Sequence, residues 1–440
     1  MGLNRLKLIL GGLVLLFGLA WLLSLPPGAL APLFWPLRRL LLEFTGILAI
    51  GLLSATVMLA ARPLQLEAWL GGLDKYYRLH RWLGLAGVAA GVGHWLLWGG
   101  PPALVKLQLL IGPHQLGRSW PDEGLLRFWH HMAAEVGPWA FTLLMLLVGL
   151  ALWRRFPYHC FFRVHRLMAV VYLLLVFHSV LLLSPSFWSE PVGWLLAPLL
   201  LGGTLAAALS LFHRIGHGRK AVGRILALEY HHDDHVLDVS VELSTAWPGH
   251  RAGQFAFVDF ADKEPPHPFT IASGWQDDGI LHFSIKGLGD YTRRLPRTLA
   301  SGQEVNLEGP YGRFTFSGLR RQLWVAAGIG VTPFIARLEE LTRVGQEENA
   351  DFIYATASPA DSFIGHVRSL AEQAGVRLHL VISEVEEPLT MARLATLVPD
   401  WAERELWFCG PREFGDRLRR EMQGRGFDRV RFHQELFDMR

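Results

Sequence analysis

Long apolar runs fill the first half of the chain, and short alternating runs fill the second. Six runs in the first half are long enough to span a bilayer, since about 20 residues cross the hydrocarbon core. They lie at roughly 6–25, 38–60, 78–98, 132–153, 162–183 and 190–212. The first follows Arg5 and Lys7 and precedes Ala29-Leu30-Ala31, the outline of a secretory leader. Its length, and Pro32 straight after that triplet, predict a retained helix instead. After Phe212 the stretch HRIGHGRK reads as a polar linker. Beyond it VLDVSVEL, GQFAFVDF, ILHFSIKG and EVNLEGPYG read as strands of a small antiparallel β-barrel. From Arg320 strands and helices alternate: QLWVAAG, a helix from Pro333, DFIYATA, a helix from Asp361, RLHLVIS and ELWFCGP. That is a βαβ pattern. The expected architecture is multi-domain: a six-helix transmembrane bundle at 1–218, an antiparallel β-barrel at 219–316, and an α/β Rossmann-like nucleotide-binding domain at 317–440.

Charge sharpens this division. Residues 1–218 hold only 7 of the 39 acidic residues, so the apolar half reads as membrane and the rest as an ordinary soluble module. Basic residues near helix ends set orientation. Arg5, Lys7, Arg62, Lys75, Arg78, Arg81, Arg154, Arg155, Arg163, Arg166, Arg214, Arg219 and Lys220 fall on one side, and Arg38, Arg39, Lys106, Arg118 and Arg127 on the other. The richer side predicts a multi-pass cell-membrane protein with both termini cytosolic, its third and fifth spans running outward. A net charge of +3, with the basic residues of the first half gathered at helix ends, argues against nucleic acid as a partner. Two cysteines, Cys160 and Cys409, support neither a disulfide framework nor a cysteine-based metal site.

The third and fifth spans each carry two histidines: His80 and His94, then His165 and His178. An ionisable side chain inside a membrane helix is costly and marks function. A lone histidine would read as a satisfied polar residue, but four matched in depth on two helices point to two stacked haems, each held between histidines. At ~100° and ~1.5 Å per residue, the fourteen-residue step from His80 to His94 returns to within ~40° of the same face, ~21 Å along the axis. The thirteen-residue step from His165 to His178 gives ~220°, so the fifth span must tighten locally or bind its haems on different sides. Arg78, Arg81, Arg163 and Arg166 could pair with inner haem propionates or simply anchor the helices at the membrane face. Tyr172 lies between the two levels, where ordinary packing is its simplest role. His114, His130 and His131 mark the long loop from Gly99 to His131, placed outside, where solvated histidines are the commoner case.

In the soluble half HPFTIAS at 267–273 is followed by KGLGDYT at 286–292. A flavin ring needs a donor near its reactive nitrogen, which Thr270 can supply, and a flat apolar wall. A pyrophosphate needs closely approaching backbone N–H groups, which Gly287 and Gly289 permit, helped by Thr292. AAGIGVTPF at 326–334 follows a strand and opens a helix, and Gly328 and Gly330 allow a tight turn onto a dinucleotide phosphate. In CGP at 409–411 a small thiol could face a nicotinamide or lie in the core.

Together, GQF, HPFTIAS, GLGDYT, EGPYG, GIGVTP, CGP and a C-terminal ELF make residues 219–440 resemble a ferredoxin–NADP reductase-type FAD/NAD(P)H module. The histidine-bearing half is similar to the ferric reductase/NADPH oxidase superfamily. The resemblance implies FAD, NADPH or NADH, and two b-type haems, with His80 pairing His165 on an inner haem and His94 pairing His178 on an outer one. It implies that the thirteen-residue step is tolerated. It places His267, Pro268, Phe269 and Thr270 on the flavin and Gly289 and Thr292 on its pyrophosphate, with Ile271, Lys286, Gly287 and Tyr291 among the cofactor-binding residues. Gly328, Gly330 and Thr332 would hold the nicotinamide cofactor, with Pro333 and Gly410 also cofactor-binding. Cys409 would lie near hydride transfer, and Phe437 would stack on the flavin.

Two positions depart from that family. Many eukaryotic oxidases carry a further histidine one turn after the outer ligand; here it is Trp98, which counts against oxygen as acceptor. NADPH-selective relatives often place an arginine after the second nucleotide-domain strand; here YATASPADS has none, and Asp361 would repel a phosphate, which favours NADH. The expected function is electron transfer from cytosolic NAD(P)H to an extracytoplasmic acceptor, foremost a ferric chelate. The alternatives are superoxide formation from oxygen, or a cytochrome b role feeding a protein or quinone partner. With flavin and nucleotide modules in one chain, no obligate protein partner is expected.

Overall fold

The computed structural model describes residues 3–29, 33–63, 66, 69–112, 124–153, 155–233, 235–262, 264–318, 320–357, 361–383 and 387–435. The chain divides into two compact units, chiefly 3–215 and 216–440. Six helices of the first unit are long and apolar enough to cross a membrane. They are α1 (Leu3–Leu23), α2 (Phe34–Ala60), α3 (Leu73–Lys106), α4 (Leu125–Leu152), α5 (Tyr158–Leu182) and α6 (Pro191–Leu211). One core joins Phe17 and Trp21 of α1, Ile47 and Ile50 of α2, Tyr172 of α5 and Leu196 of α6. A second joins Val88 of α3, Ala140 and Leu144 of α4, and Val171 of α5.

Small residues set how closely α2 and α3 approach. A Cβ on Gly87 would stand 3.1 Å from Leu53 Cγ and 3.3 Å from the Ala49 carbonyl oxygen. A Cβ on Gly84 would touch Thr56 Cγ2 at 3.4 Å. Lipid chains are as apolar as leucine, so close backbone packing of this kind replaces the hydrophobic drive that joins helices in water.

The second unit holds two sheets. The first is antiparallel, in the order β4-β3-β6-β1-β2-β5. Its strands are β1 (Lys220–His231), β2 (Val236–Leu243), β3 (Phe255–Asp259), β4 (His267–Thr270), β5 (Ile280–Lys286) and β6 (Glu304–Tyr311). Its outer edges meet through two hydrogen bonds beyond β4: Ala272 N–H donates to the His282 carbonyl at 2.8 Å, and His282 N–H to Ser273 Oγ at 3.3 Å. The curl encloses Val239, Val258, Phe260, Ile271, Phe283 and Leu307. β1 is absent from the sequence-predicted runs because its alternation fades beyond a register shift between Ile225 and Ala227. A short helix, α7 (Asp290–Thr298), follows β5.

The second sheet is parallel, in the order β11-β10-β7-β8-β9. It comprises β7 (Gln322–Ala327), β8 (Ala350–Thr356), β9 (Arg377–Ile382), β10 (Glu405–Cys409) and β11 (Phe432–Gln434). Its helices are α8 (Thr332–Val344), α9 (Asp361–Gln373), α10 (Met391–Leu397) and α11 (Arg412–Gly424). Trp324, Phe352 and Trp407 fill one face, and Val325, Ile353 and Phe408 the other. Burial on both faces explains why QLWVAA and ELWFC read as continuous apolar runs.

Polar groups of the same unit lock the parallel sheet. Arg404 and Asp351 are both buried and pair at 2.6 Å, His379 Nε2 lies 2.7 Å from Asp351, and Arg404 donates to the Gln322 carbonyl at 3.1 Å. Removing Arg404 takes from Asp351 its buried partner and leaves His379 and the exposed Arg377, at 3.6 Å, to hold its charge, so the cost should stay below the ~3–5 kcal/mol of a wholly stranded buried charge. Arg404→Met is therefore expected to lower the second unit's thermal midpoint by several degrees, and Asp351→Asn added to it should recover part of the loss. An unchanged midpoint in scanning calorimetry of the single variant would refute this account.

Candidate functional site

In the membrane unit α3 and α5 bring the four histidines together as two pairs. The His80 and His165 ring centroids are 6.0 Å apart, and those of His94 and His178 are 6.4 Å apart. Both pairs form although α5 is helical without a break from Tyr158 to Leu182. The thirteen-residue step therefore needs no break in the helix.

Backbone carbonyls fix three of the rings. His80 Nδ1 lies 2.9 Å from the Thr56 oxygen, His94 Nδ1 2.9 Å from the Leu42 oxygen, and His178 Nδ1 2.7 Å from the Ala133 oxygen. A carbonyl only accepts, so each Nδ1 carries the proton and Nε2 holds the lone pair that can ligate a metal. The buried Nδ1 of His165 has no hydrogen-bond partner among the described residues, and its ring stacks on Phe161 at 5.0 Å.

The outer two rings share a device that the sequence reading missed. The acceptor for His94 is Leu42, and four residues on is Gly46; the acceptor for His178 is Ala133, and four residues on is Gly137. In a helix the side chain at i+4 stands over the carbonyl at i. A Cβ on Gly46 would meet His94 Nδ1 at 2.9 Å, and one on Gly137 would overlap Nδ1 and Cε1 of His178. Glycine thus opens each carbonyl to a lateral donor. A glycine four residues after an apolar position on a neighbouring span is the sequence signal for it.

These residues fit haem. Two metal–imidazole bonds of about 2 Å, with about 1.1 Å from nitrogen to ring centre, would set centroids about 6.3 Å apart. Each pair offers two nitrogens, and no group of three or more His, Cys, Asp or Glu that could hold a metal occurs among the described residues. Such a donor set suits a metal whose other positions its own macrocycle fills. Tyr172 turns away to pack: its hydroxyl lies 2.9 Å from Ser54 Oγ, against Gly203. Arg166 hydrogen-bonds the His213 ring, with Nη1 2.7 Å from Nε2. His130 Nδ1 donates to the Leu126 carbonyl of its own helix at 2.9 Å. His114 lies outside the described residues.

In the second unit His267 of β4 stacks on Tyr291 of α7, with centroids 4.1 Å apart and planes 16° apart, so HPFT and GDYT form one site. Burial holds His267 below the usual imidazole range, against the opposing pull of the Pro265 backbone, Glu264 and Asp262, and the pair is flat and uncharged. Burial, then Asp262, pushes the Tyr291 hydroxyl up. Thr270 is buried on β4, opposite Phe255 of β3. Gly289 caps α7; its N–H donates to Thr292 Oγ1 at 3.1 Å, and nothing lies within 4 Å of where its Cβ would be. Its conformation is ordinary and extended, so what glycine provides there is access to the helix N-terminus. The stacked wall and this open terminus fit a flavin and its pyrophosphate.

The parallel sheet reverses its order between β7 and β10, and an open α/β sheet binds ligand at the carboxyl ends of the strands flanking such a reversal. There the turn at 328–331 meets the turn at 409–411. A Cβ on Gly330 would overlap the Cys409 carbonyl oxygen and stand 2.8 Å from the Gly410 nitrogen; one on Gly410 would stand 2.7 Å from Ala327 Cβ. Gly328 has φ +55°, a left-handed conformation that favours glycine. Thr332 and Pro333 are buried as they open α8. Cys409 gives its backbone to this crevice while its side chain is fully buried in the core; burial, then Glu435, pushes the thiol well up. Glu435 is a buried carboxylate beside Gly312 that the sequence reading passed over. Phe437 lies outside the described residues, as does the side chain of Asp361.

Comparison with known proteins places both units. Residues 45–176 match a ferric reductase like transmembrane component, and residues 222–315 match an FAD-binding domain. A superoxide-generating NADPH oxidase heavy chain of Dictyostelium discoideum is 28% identical over 262 residues, 53% of this chain and 36% of that protein. The respiratory burst oxidase homolog protein F of Arabidopsis thaliana is 30% identical over 243 residues, 47% of this chain and 25% of that protein. The reductase component Stc4 of the stachydrine N-demethylase of Rhizobium meliloti is 26% identical over 205 residues, 43% of this chain and 58% of that protein. The chain therefore spans at most 58% of these relatives' own length. With a ferric reductase-type membrane domain joined to an FAD-binding domain, and oxidase relatives that match it, the chain belongs to the ferric reductase/NADPH oxidase superfamily.

Proposed function

We propose that this chain is a transmembrane NAD(P)H-dependent oxidoreductase that delivers electrons, by way of FAD and two b-type haems, to an extracytoplasmic ferric chelate. The observation that carries this reading is the pair of histidine couples, at 6.0 and 6.4 Å, on two membrane helices of a chain that also contains the flavin and nucleotide folds. Residues of β4 and α7 would hold FAD, which would supply the conversion of a two-electron hydride transfer into the single-electron transfers that haem iron requires.

The roles fall to named residues. His80 with His165, and His94 with His178, ligate the inner and outer haems. Thr270 donates to the flavin, His267 and Tyr291 wall it, and Pro268, Phe269 and Ile271 line it. Lys286, Gly287, Gly289 and Thr292 admit its pyrophosphate. Gly328, Gly330, Thr332, Pro333 and Gly410 hold the dinucleotide. Cys409 borders the hydride path, and Phe437 covers the flavin. The domains run 1–218, 219–316 and 317–440, with the chain in the cell membrane and both termini cytosolic.

Superoxide formation is the second reading, favoured by the match to the Dictyostelium oxidase, whereas Trp98 in place of a histidine counts against it. Purified protein supplied with FAD, haem and NADH should reduce ferric chelate faster than oxygen or quinone. Superoxide as the main product would replace the first reading with the second. The stretch after β8 has no arginine, so NADH should also give the higher kcat/KM; a clear preference for NADPH would overturn that choice.

A further inference from the structure

Helix α3 contains Pro101 and Pro102 about two turns beyond His94. In an α-helix the N–H of residue i serves the carbonyl of residue i−4, and proline has no N–H. The carbonyls deprived of a helical donor are therefore those of Leu97 and Trp98. Arg38 of α2 donates to these same two oxygens: Nε to Leu97 at 2.8 Å and Nη2 to Trp98 at 3.1 Å. Its neighbour Arg39 instead turns outward to Glu43 at 3.4 Å. Trp35, one turn before Arg38, lies under the guanidinium at 5.5 Å and restricts its orientation.

The contact sits in register with the outer histidine. Residues 38, 42 and 46 are spaced by four, so they form one stripe of α2. Arg38 serves the carbonyls one turn beyond His94, Leu42 accepts from the His94 ring, and Gly46 makes room for that ring. Two prolines in succession would otherwise leave the outer turn of α3 bent and short of two hydrogen bonds.

We infer that Arg38 is a positioning residue: it replaces the two donors that Pro101 and Pro102 lack, and so holds the outer turn of α3 at the angle that aims His94. Lysine cannot do this, because an ammonium is a point donor and cannot span two carbonyls as a planar fork does. The inference deepens the bis-haem reading and rests on it.

The test uses full-length protein loaded with haem, in detergent, and reads haem content, low-temperature EPR of the oxidised haems, and the thermal midpoint. Arg38→Met should lose or broaden the outer-haem EPR signal and lower the midpoint while the inner-haem signal stays. Arg38→Lys should behave like Arg38→Met although it keeps the charge. Adding Pro101→Ala and Pro102→Ala to Arg38→Met restores the missing N–H groups, and should return both the outer-haem signal and the midpoint toward the parent. The inference is overturned if Arg38→Met leaves the outer haem unperturbed, if Arg38→Lys is as good as the parent, or if the triple variant is no better than the single one. A single variant too unstable to purify would still be judged by the triple variant, which must then fold and carry both haems. A parent protein that binds no haem would overturn the bis-haem reading itself, a result separate from all of these.

Discussion

Gly137→Ala is expected to remove the outer haem and leave the inner one in place. The added methyl would fall on Nδ1 and Cε1 of the His178 ring, beside the Ala133 carbonyl that the ring must reach. The ring cannot turn aside and keep that hydrogen bond, and without it both its tautomer and its direction are lost. Haem per chain should fall from about two to about one, since loss of an outer-sphere partner alone typically costs 10–100-fold in affinity and here the ligand itself is displaced. Flavin reduction by the nicotinamide should be unaffected. Gly46→Ala should act in the same direction but more weakly, because its methyl would meet His94 at 2.9–3.0 Å, a gap that a small shift of the ring can widen. Two haems per chain in purified Gly137→Ala, with a normal outer-haem spectrum, would show that the glycine seat is dispensable.

The sequence displayed the histidines because charge-bearing side chains are rare in apolar runs. It displayed the spans and the parallel strands because their burial is continuous over a whole element. It concealed what depends on a neighbouring helix. Gly46 and Gly137 look like any glycines of a membrane span until a histidine from another helix is found four residues behind them on a carbonyl. Arg38 reads as an anchoring charge beside Arg39, and only pairing with α3 shows that one is turned inward and the other outward. The thirteen-residue step looked unfavourable on a helical wheel, which tracks Cα directions alone, yet both pairs form on an unbroken helix. Strand β1 escaped because its outward face departs from strict alternation after the register shift. Glu435 was hidden for another reason: a carboxylate near a chain end reads as solvated unless its buried surroundings are known.

Gly330→Ala should abolish rapid flavin reduction by NAD(P)H without removing flavin or haem. The glycine-rich turn after β7 and the Cys409-Gly410 turn after β10 touch through backbone atoms, so an added methyl meets the Cys409 carbonyl and the Gly410 nitrogen, the latter at 2.8 Å. No rotamer change can relieve a clash with backbone, and the two turns must separate. They form the two lips of the crevice where the strand order reverses, so the separation falls on the proposed nucleotide site. A misplacement on the order of 1 Å can cost about 10²-fold in rate, and kcat/KM for the nicotinamide should fall by at least about that much. Gly328→Ala is the control within the same turn. Its methyl would have open space, and the penalty is only that of a left-handed alanine, about 1–2 kcal/mol of backbone strain. It should therefore retain most of the activity. Anaerobic stopped-flow absorbance of the flavin separates these outcomes, with FAD content and chemical reduction of the haems establishing that the variant is folded and loaded. Flavin reduction in Gly330→Ala at the parent rate would mean that the two turns do not form the nucleotide site.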